Sequence, residues 1–159
     1  HDLLIVTTAG MAIRFRFDDL TVTGRNSSGV RAILLDPADT VKTCLALEDD
    51  QILIFFTDRG YGKRVAQQDI DPQTRGGKGF KLFPLGKSSI AGREVVAALQ
   101  THDLEQDLLI RQVKSGQTRL PIRNIQLLQK NHRGVPYALA VMDDVVTSVT
   151  LVPARQSES

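Results

Sequence analysis

Short apolar runs alternate with polar loops along the whole chain, and these runs recur at a regular interval. Three of them begin at Leu3, Leu53 and Leu109. Each is followed by two glycines, one close to its end and one about 19 residues further on: Gly10 and Gly29, Gly60 and Gly79, Gly116 and Gly134. A period of roughly 50 residues built from short strands is typical of propeller-like arrays, because a single blade cannot bury its own apolar face.

Within each repeat the pattern predicts four short strands separated by turns that contain glycine or polar residues. The predicted fold is therefore all-β, with three four-stranded blades in one domain, 1–152, and a disordered tail at 153–159. The repeats run over about 2–50, 51–106 and 107–152. The predicted strands are 3–8, 11–16, 30–35 and 41–47; 52–57, 61–66, 79–84 and 93–100; and 107–113, 117–121, 135–141 and 145–152.

The link between the second and third strands is long in every repeat. It covers Phe17–Gly29, Gln67–Gly79 and Arg123–Gly134, about twelve residues each time, whereas ordinary hairpins use two to five. A link of this length indicates a crossing rather than a turn. We therefore expect the outer strands to pair with a neighbouring blade.

Composition limits the possible functions. The chain has 159 residues, of which 42% are hydrophobic, and no apolar run approaches the length of a membrane span. Cys44 is the single cysteine, so no internal disulfide can form, and a reducing, cytoplasmic location is expected. No nucleophile with a base, carboxylate metal cluster or phosphate-binding loop is evident; the pairs Asp18-Asp19 and Asp143-Asp144 are interpreted as turn residues. The chain is therefore predicted to be non-catalytic on its own, with no cofactor and no metal.

Charge is distributed unevenly although the net charge is only +2. Residues 2–50 carry five Lys or Arg against eight Asp or Glu, residues 51–106 carry eight against six, and residues 107–159 carry seven against four. Basic residues also cluster, as at Arg59, Lys63 and Arg64. Such clusters indicate a stripe that binds a polyanion, and a mixed, solvated surface is the alternative.

Two segments resemble a known family. The segment Ile54–Val65, which reads IFFTDRGYGKRV, is similar to a blade of the C-terminal domain of DNA gyrase A. The loop Gln73–Gly79, which reads QTRGGKG, resembles the seven-residue box of that family, Gln-Arg-Arg-Gly-Gly-Lys-Gly, and departs from it at Thr74. The paralogous protein of topoisomerase IV has a similar domain with a degenerate box. The resemblance therefore leaves open whether the chain comes from a gyrase or from a topoisomerase IV. The three copies look most like the last three blades of a six-bladed domain.

The resemblance implies a β-pinwheel, a propeller-like disc whose blades exchange strands and whose outer rim wraps duplex DNA without reading its sequence. The implied partners are duplex DNA, the rest of the gyrase A polypeptide and the separate ATPase polypeptide of an ATP-dependent type II topoisomerase associated with the nucleoid. The DNA-cleaving tyrosine of the family belongs to an upstream domain. Three blades would leave an open or partial disc, or a dimer. The alternative is a protein-interaction module with a basic surface.

The predicted DNA contacts are basic residues near blade edges and the residues of the box-like loop. Arg75 and Lys78 are the first candidates, and the glycines of the loop would let backbone N–H groups approach a phosphate. The full set is Arg14, Arg25, Arg31, Lys63, Arg64, Gln73, Arg75, Gly76, Gly77, Lys78, Gly79, Lys81, Lys130 and Arg133.

Overall fold

The computed structural model describes residues 1–19 and 31–155. The predicted contact Arg25, Gly29 and the tail residues 156–159 lie outside the described residues. Three short 3-10 turns, which the sequence pattern did not predict, follow the second strand of each repeat at Phe17–Asp19, Gln67–Asp69 and Ile122–Asn124. The strands are β1 (Asp2–Thr7), β2 (Met11–Arg16), β3 (Val41–Leu47), β4 (Ile52–Thr57), β5 (Tyr61–Ala66), β6 (Phe80–Lys81), β7 (Val95–Thr101), β8 (Asp107–Gln112), β9 (Gly116–Pro121), β10 (Val135–Pro136) and β11 (Val146–Val152).

These strands form three antiparallel sheets, which confirms the all-β prediction. Their strand orders are β3-β1-β2-β6, β10-β5-β4-β7 and β11-β8-β9. Three details differ from the expected blades. The third sheet has three strands among the described residues, and residues 31–35 form no strand. The predicted strands 79–84 and 135–141 shorten to β6 and β10, two residues each.

Neighbouring blades exchange a strand, as the long links predicted. Strand β6 follows β5 along the chain but pairs with β2 of the first sheet, with Met11 opposite Lys81. In the same way β10 leaves the third repeat and pairs with β5, with Val135 opposite Gly62. We call residues 79–83 and 134–138, which include these strands, the exchanged segments.

The recurring glycines are required where an exchanged segment crosses the preceding blade. Gly79 has φ +75°, and a Cβ built on it would lie 1.9 Å from the carbonyl oxygen of Ala12. Gly60 has φ +80°, and its Cβ would lie 2.1 Å from the carbonyl oxygen of Ala138. The left-handed backbone and the lack of space both exclude other residues. Gly60 and Gly79 therefore mark contacts between blades.

The hydrophobic core consists of buried apolar side chains that pack between neighbouring sheets. All four residues Leu53–Phe56 of β4 are fully buried, because the second sheet is covered on both faces. Leu53 and Phe55 pack with Leu4 of the first sheet, and Ile54 and Phe56 pack with Leu108 of the third. The other face of the first sheet is covered by Ile33, in the segment that was expected to be a strand.

The order of strands distinguishes two edges of the array. Strands β3, β7 and β11 each form one edge of their sheet, and β7 contacts both of the others. Strands β6 and β10 lie at the opposite edge of the first and second sheets. We call this opposite edge, with the loops 73–78 and 128–133 that lead into the exchanged segments, the outer edge. The described part of the chain contains no helix with the length and apolar character that a membrane crossing requires.

Lys63 is buried in the interior, contrary to its predicted role in contacting DNA. Its side chain is 0% exposed, and its Nζ donates to the carbonyl oxygens of Leu82 at 2.5 Å, Lys130 at 2.7 Å and His132 at 2.5 Å. The ammonium also lies 4.5 Å from the centre of the Phe83 ring. Burial lowers the pKa of Lys63 to about 7, an effect that the charge of Asp69 opposes.

Two glycines with similar backbone angles provide a test of the contact between blades. Gly116 has φ +82° with nothing within 4 Å of its built Cβ, whereas Gly79 has φ +75° and faces Ala12. Gly116→Ala should cost about 1–2 kcal/mol of unfolding free energy for the left-handed backbone alone. Gly79→Ala should cost at least about 2 kcal/mol more, since the exchanged segment must move. Urea unfolding of both variants measures the difference, and equal losses would contradict the role assigned to Gly79.

Lys63 should make the stability of the chain depend on pH. Its pKa is about 7 in the folded protein and about 10.5 in the unfolded chain, so the unfolded state binds more protons between these values. The unfolding free energy contributed by Lys63 should therefore rise with pH across this window, by at most about 1.4 kcal/mol per pH unit. Urea unfolding at several pH values measures the unfolding free energy of wild type and of Lys63→Met. We expect the difference, wild type minus variant, to rise with pH across this window. A flat or falling difference would contradict the lowered pKa.

Candidate nucleic-acid interface

Basic side chains take matching places beside the two exchanged segments. Lys78 directly precedes Gly79 and Arg133 directly precedes Gly134, and both cations are exposed. Lys81, on β6, is exposed on the same edge. Because β6 and β10 occupy the same position in successive sheets, Lys78 and Arg133 hold matching places on two blades of the outer edge.

The box-like loop lies against residues 31–34. Arg75 donates from Nε to the carbonyl oxygen of Asp19 at 2.9 Å and from Nη1 to that of Arg31 at 2.9 Å. The N–H of Gly76 donates to Ala32 at 2.8 Å, and the carbonyl oxygen of Gly77 accepts a bond from Leu34 at 2.8 Å. The loop is thus fixed by hydrogen bonds to its own chain.

Two predictions about this loop are therefore corrected. Residue Arg75 is half-buried, and its guanidinium ties the loop to two carbonyl groups, so its first role is structural. The Gly76 N–H is occupied by Ala32 and does not point to a phosphate site. Gly76 has φ +86°, which explains why glycine is needed there. Gly79 likewise serves the close approach to Ala12.

Other members of the loop remain available to a partner. Lys78 and Asp36 lie 3.6 Å apart, with 66% and 60% of their side chains exposed. An exposed pair of this kind contributes little stability, so the lysine can exchange the carboxylate for a phosphate at small cost. Gln73 and Arg31 are exposed as well, and they stay predicted contacts.

Two predicted DNA contacts, Arg14 and Arg64, instead connect blades. Arg14 donates from Nη1 to the carbonyl oxygens of Gln67 at 3.0 Å and Ile70 at 2.9 Å, and from Nε to Asp2 at 2.8 Å. Arg64, which holds the same position in β5, donates from Nε to the carbonyl oxygen of Ile125 at 2.6 Å. Each arginine binds the residue after the 3-10 turn of the following repeat. Their positive charge is thus used within the fold, contrary to the prediction.

The loop 128–133 holds a third group of cations. Lys130 is half-buried, its Nζ lies 5.2 Å from the centre of the Phe80 ring, and its backbone N–H donates to Asp69 at 2.7 Å. Arg133 in the same loop is exposed. The supporting residues Phe80 and Asp69 were not predicted from the sequence. Asp69 lies in the 3-10 turn of the second repeat that is equivalent to the turn holding Asp18 and Asp19 in the first, so the spacing of the repeats could have indicated it.

Among the residues described, the site offers positive charge and hydrogen-bond donors. Within 1–19 and 31–155, no three His, Cys, Asp or Glu side chains are grouped to hold a metal ion. Asp144, one of the paired carboxylates, accepts bonds from the Ser115 hydroxyl and the Lys114 backbone, which lower the pKa of its carboxyl group. It therefore fixes a turn, as the sequence predicted.

Known proteins resemble the chain in both sequence and structure. Residues 1–48 and 51–99 match the family described as the DNA gyrase C-terminal domain, beta-propeller. DNA gyrase A of Haloquadratum walsbyi is 32% identical over 165 residues, covering 100% of this chain and 18% of that protein. DNA gyrase A of Lawsonia intracellularis is 41% identical over 87 residues, covering 52% of this chain and 11% of that protein. The chain thus spans less than a fifth of the length of these relatives.

Two solved structures share the fold. The C-terminal domain of DNA topoisomerase IV superposes with a TM-score of 0.80 at 19% identity, covering 96% of this chain and 47% of that one. The DNA gyrase A C-terminal domain superposes with a TM-score of 0.76 at 24% identity, covering 94% and 50%. These likenesses support the pinwheel architecture that the exchanged strands show. With the family match over more than half of its residues, the chain belongs to the DNA gyrase C-terminal domain family.

Proposed function

We propose that this chain binds duplex DNA through the phosphate backbone along its outer edge. The observation that carries the proposal is the pair Lys78 and Arg133, exposed cations at the same place beside successive exchanged segments. Phosphates are spaced regularly along a duplex, so a polymer that passes one blade edge can contact the next. Cations that contact phosphates supply affinity with little sequence preference.

Bent duplex fits this surface better than a single strand. Single-strand binding needs exposed aromatic rings on which bases stack. Two rings near the outer-edge cations are covered by other side chains. Phe80 is half-buried beneath Lys130, and Phe83 is fully buried beside Lys63. Cations at successive blade edges instead favour a duplex that is held by its backbone and bends from one blade to the next.

Membership of the gyrase family supports a wider role as part of the gyrase A polypeptide of a type IIA topoisomerase. In that setting the domain would wrap DNA and contribute to the control of supercoiling, together with the rest of that polypeptide and the separate ATPase polypeptide of the enzyme. It would act in the cytoplasm at the nucleoid and supply neither a catalytic group nor a cofactor.

A second candidate is a protein-interaction surface for an acidic partner. It is favoured by the exposed apolar side chains of Leu139, Val141 and Met142, which are 74%, 58% and 88% exposed. Arg59, whose guanidinium holds the carbonyl oxygens of Ala140 and Met142, lies beside them. Duplex length distinguishes the candidates, because wrapping requires contacts with several blades and a protein-binding surface does not.

Binding should weaken steeply with salt and strengthen with duplex length. Five candidate cations remain at or near the surface: Arg31, Lys78, Lys81, Lys130 and Arg133. If each neutralises one phosphate, the slope of log affinity against log salt should be about −4 to −5. Fluorescence anisotropy with duplexes of increasing length, at several salt concentrations, measures both quantities. A flat salt response, or equal affinity for duplexes shorter and longer than the outer edge, would favour the protein-interaction candidate.

The matching cations should contribute to binding without stabilising the fold. The double variant Lys78→Ala/Arg133→Ala should reduce the salt slope by about two and leave the melting temperature within a few degrees of wild type, since both side chains are exposed. A matched control is Lys42→Ala/Lys114→Ala, which also removes two exposed cations, one on β3 at the opposite edge and one in the β8–β9 turn. Equal slopes for the two double variants would show that the outer edge is not the binding surface.

A further inference from the structure

Lys63 lies between the two exchanged segments. Its Nζ reaches Leu82 in the first of them, and it reaches Lys130 and His132 in the loop that leads into the second. The two segments also contact each other at other points. A Cβ on Gly134 would lie 3.2 Å from the Phe83 ring, and the Lys130 ammonium lies over the Phe80 ring. The two segments therefore form one packed unit whose centre is the Lys63 ammonium.

The two exchanged segments and the loops that lead into them carry the candidate cations. Lys78 directly precedes the first segment and Lys81 lies within it, while Lys130 and Arg133 lie in the loop that leads into the second. The loop has a further attachment, the bond from the Lys130 N–H to Asp69. The distance between the two pairs of cations is thus set by the groups that Lys63 and Asp69 hold.

We propose that Lys63 is a positioning residue for the outer edge, and that its buried ammonium fixes the cations of one blade relative to those of the next. The inference rests on the proposed binding of duplex DNA. Lys63 itself does not touch the nucleic acid, because its side chain is fully buried. Its effect on binding is exerted through the loop that holds Lys130 and Arg133.

Chemistry explains why a lysine is used at this place. An ammonium has three N–H donors, and three carbonyl oxygens surround it at hydrogen-bonding distance. The strand itself does not require a charge, since Ile13 fills the equivalent position of β2 and is also fully buried. The first sheet packs Ile13 against apolar residues, whereas Lys63 lies on β5, which pairs with β10 of one exchanged segment, and its Nζ contacts Leu82 of the other. The lysine is therefore specific to the blade where two exchanged segments meet.

The test compares Lys63→Met with wild type in DNA binding, at a temperature where both are folded. Methionine keeps the apolar stem of the side chain but donates no hydrogen bond, so the loop should lose the two bonds from Lys63 and keep only the bond to Asp69. We expect the salt slope to fall by about one to two and the affinity to fall about tenfold. Hydrogen exchange of the amides of residues 130–134 should accelerate. Val149→Ala, a core truncation in the third sheet, should lower stability and leave the salt slope unchanged.

A double-mutant comparison separates positioning from general stability. In a Lys130→Ala/Arg133→Ala background, Lys63→Met should reduce the salt slope no further, because the cations that it positions are absent. An unchanged slope for Lys63→Met alone, or a full further reduction in that background, would overturn the inference. If Lys63→Met does not fold, Lys63→Gln replaces it; its side-chain amide keeps two donors, and the same two outcomes apply.

The result also distinguishes this inference from the proposed function. If wild type shows no salt-dependent binding to duplex DNA, the proposed function fails and the inference fails with it. If wild type binds and Lys63→Met binds with the same slope, DNA binding stands and only the positioning role is lost.

Discussion

The rest of the structure depends on the close passage of an exchanged segment over the second strand of the preceding blade. At Gly79 the backbones approach so closely that a Cβ would lie 1.9 Å from the Ala12 carbonyl oxygen. This contact adds β6 to the first sheet and places the box-like loop at the outer edge. It also covers the blade edge, which would otherwise present unpaired backbone groups. The contact at Gly79 explains why glycine occurs at this position, why the link from β5 to β6 is long, and why Lys78 and Lys81 lie at the outer edge.

The exchange of strands between blades also changes the role of charged residues. When two blades meet, backbone carbonyl groups at the junction need donors, because water is excluded there. Arg14 and Arg64 supply them after the 3-10 turns, and Lys63 supplies them between the exchanged segments. Three cations that the sequence assigned to DNA contacts are thus used inside the fold. The set of predicted contacts that stay exposed is correspondingly smaller than the composition suggests, and it includes Lys78 and Arg133 in the loops before β6 and β10.

The sequence predicted the parts of the fold that local pattern determines. The strands β1, β2, β4 and β5 were located to within one residue, because their apolar runs and flanking glycines are short-range signals. The segment 31–35 was misassigned, because Ile33 is buried by packing on the first sheet and not by strand pairing. Lys63 was misplaced for a related reason. The neighbouring basic residues Arg59 and Arg64 suggested a surface, while the carbonyl groups that bury Lys63 come from Leu82 and from residues nearly 70 positions away.

The cations of the outer edge can be identified only when the sequence repeat and the strand exchange are considered together. In sequence, Lys78 belongs to a recognisable box and Arg133 to a degenerate loop that keeps little more than its final glycine. In the structure both precede a glycine that begins an exchanged segment, so they hold the same place on adjacent blades. A loop can therefore lose most of its box residues and still present a cation where the next phosphate would pass. The constraint acts on the position of charge at the blade edge, and the glycine that sets this position is the residue that the repeat retains.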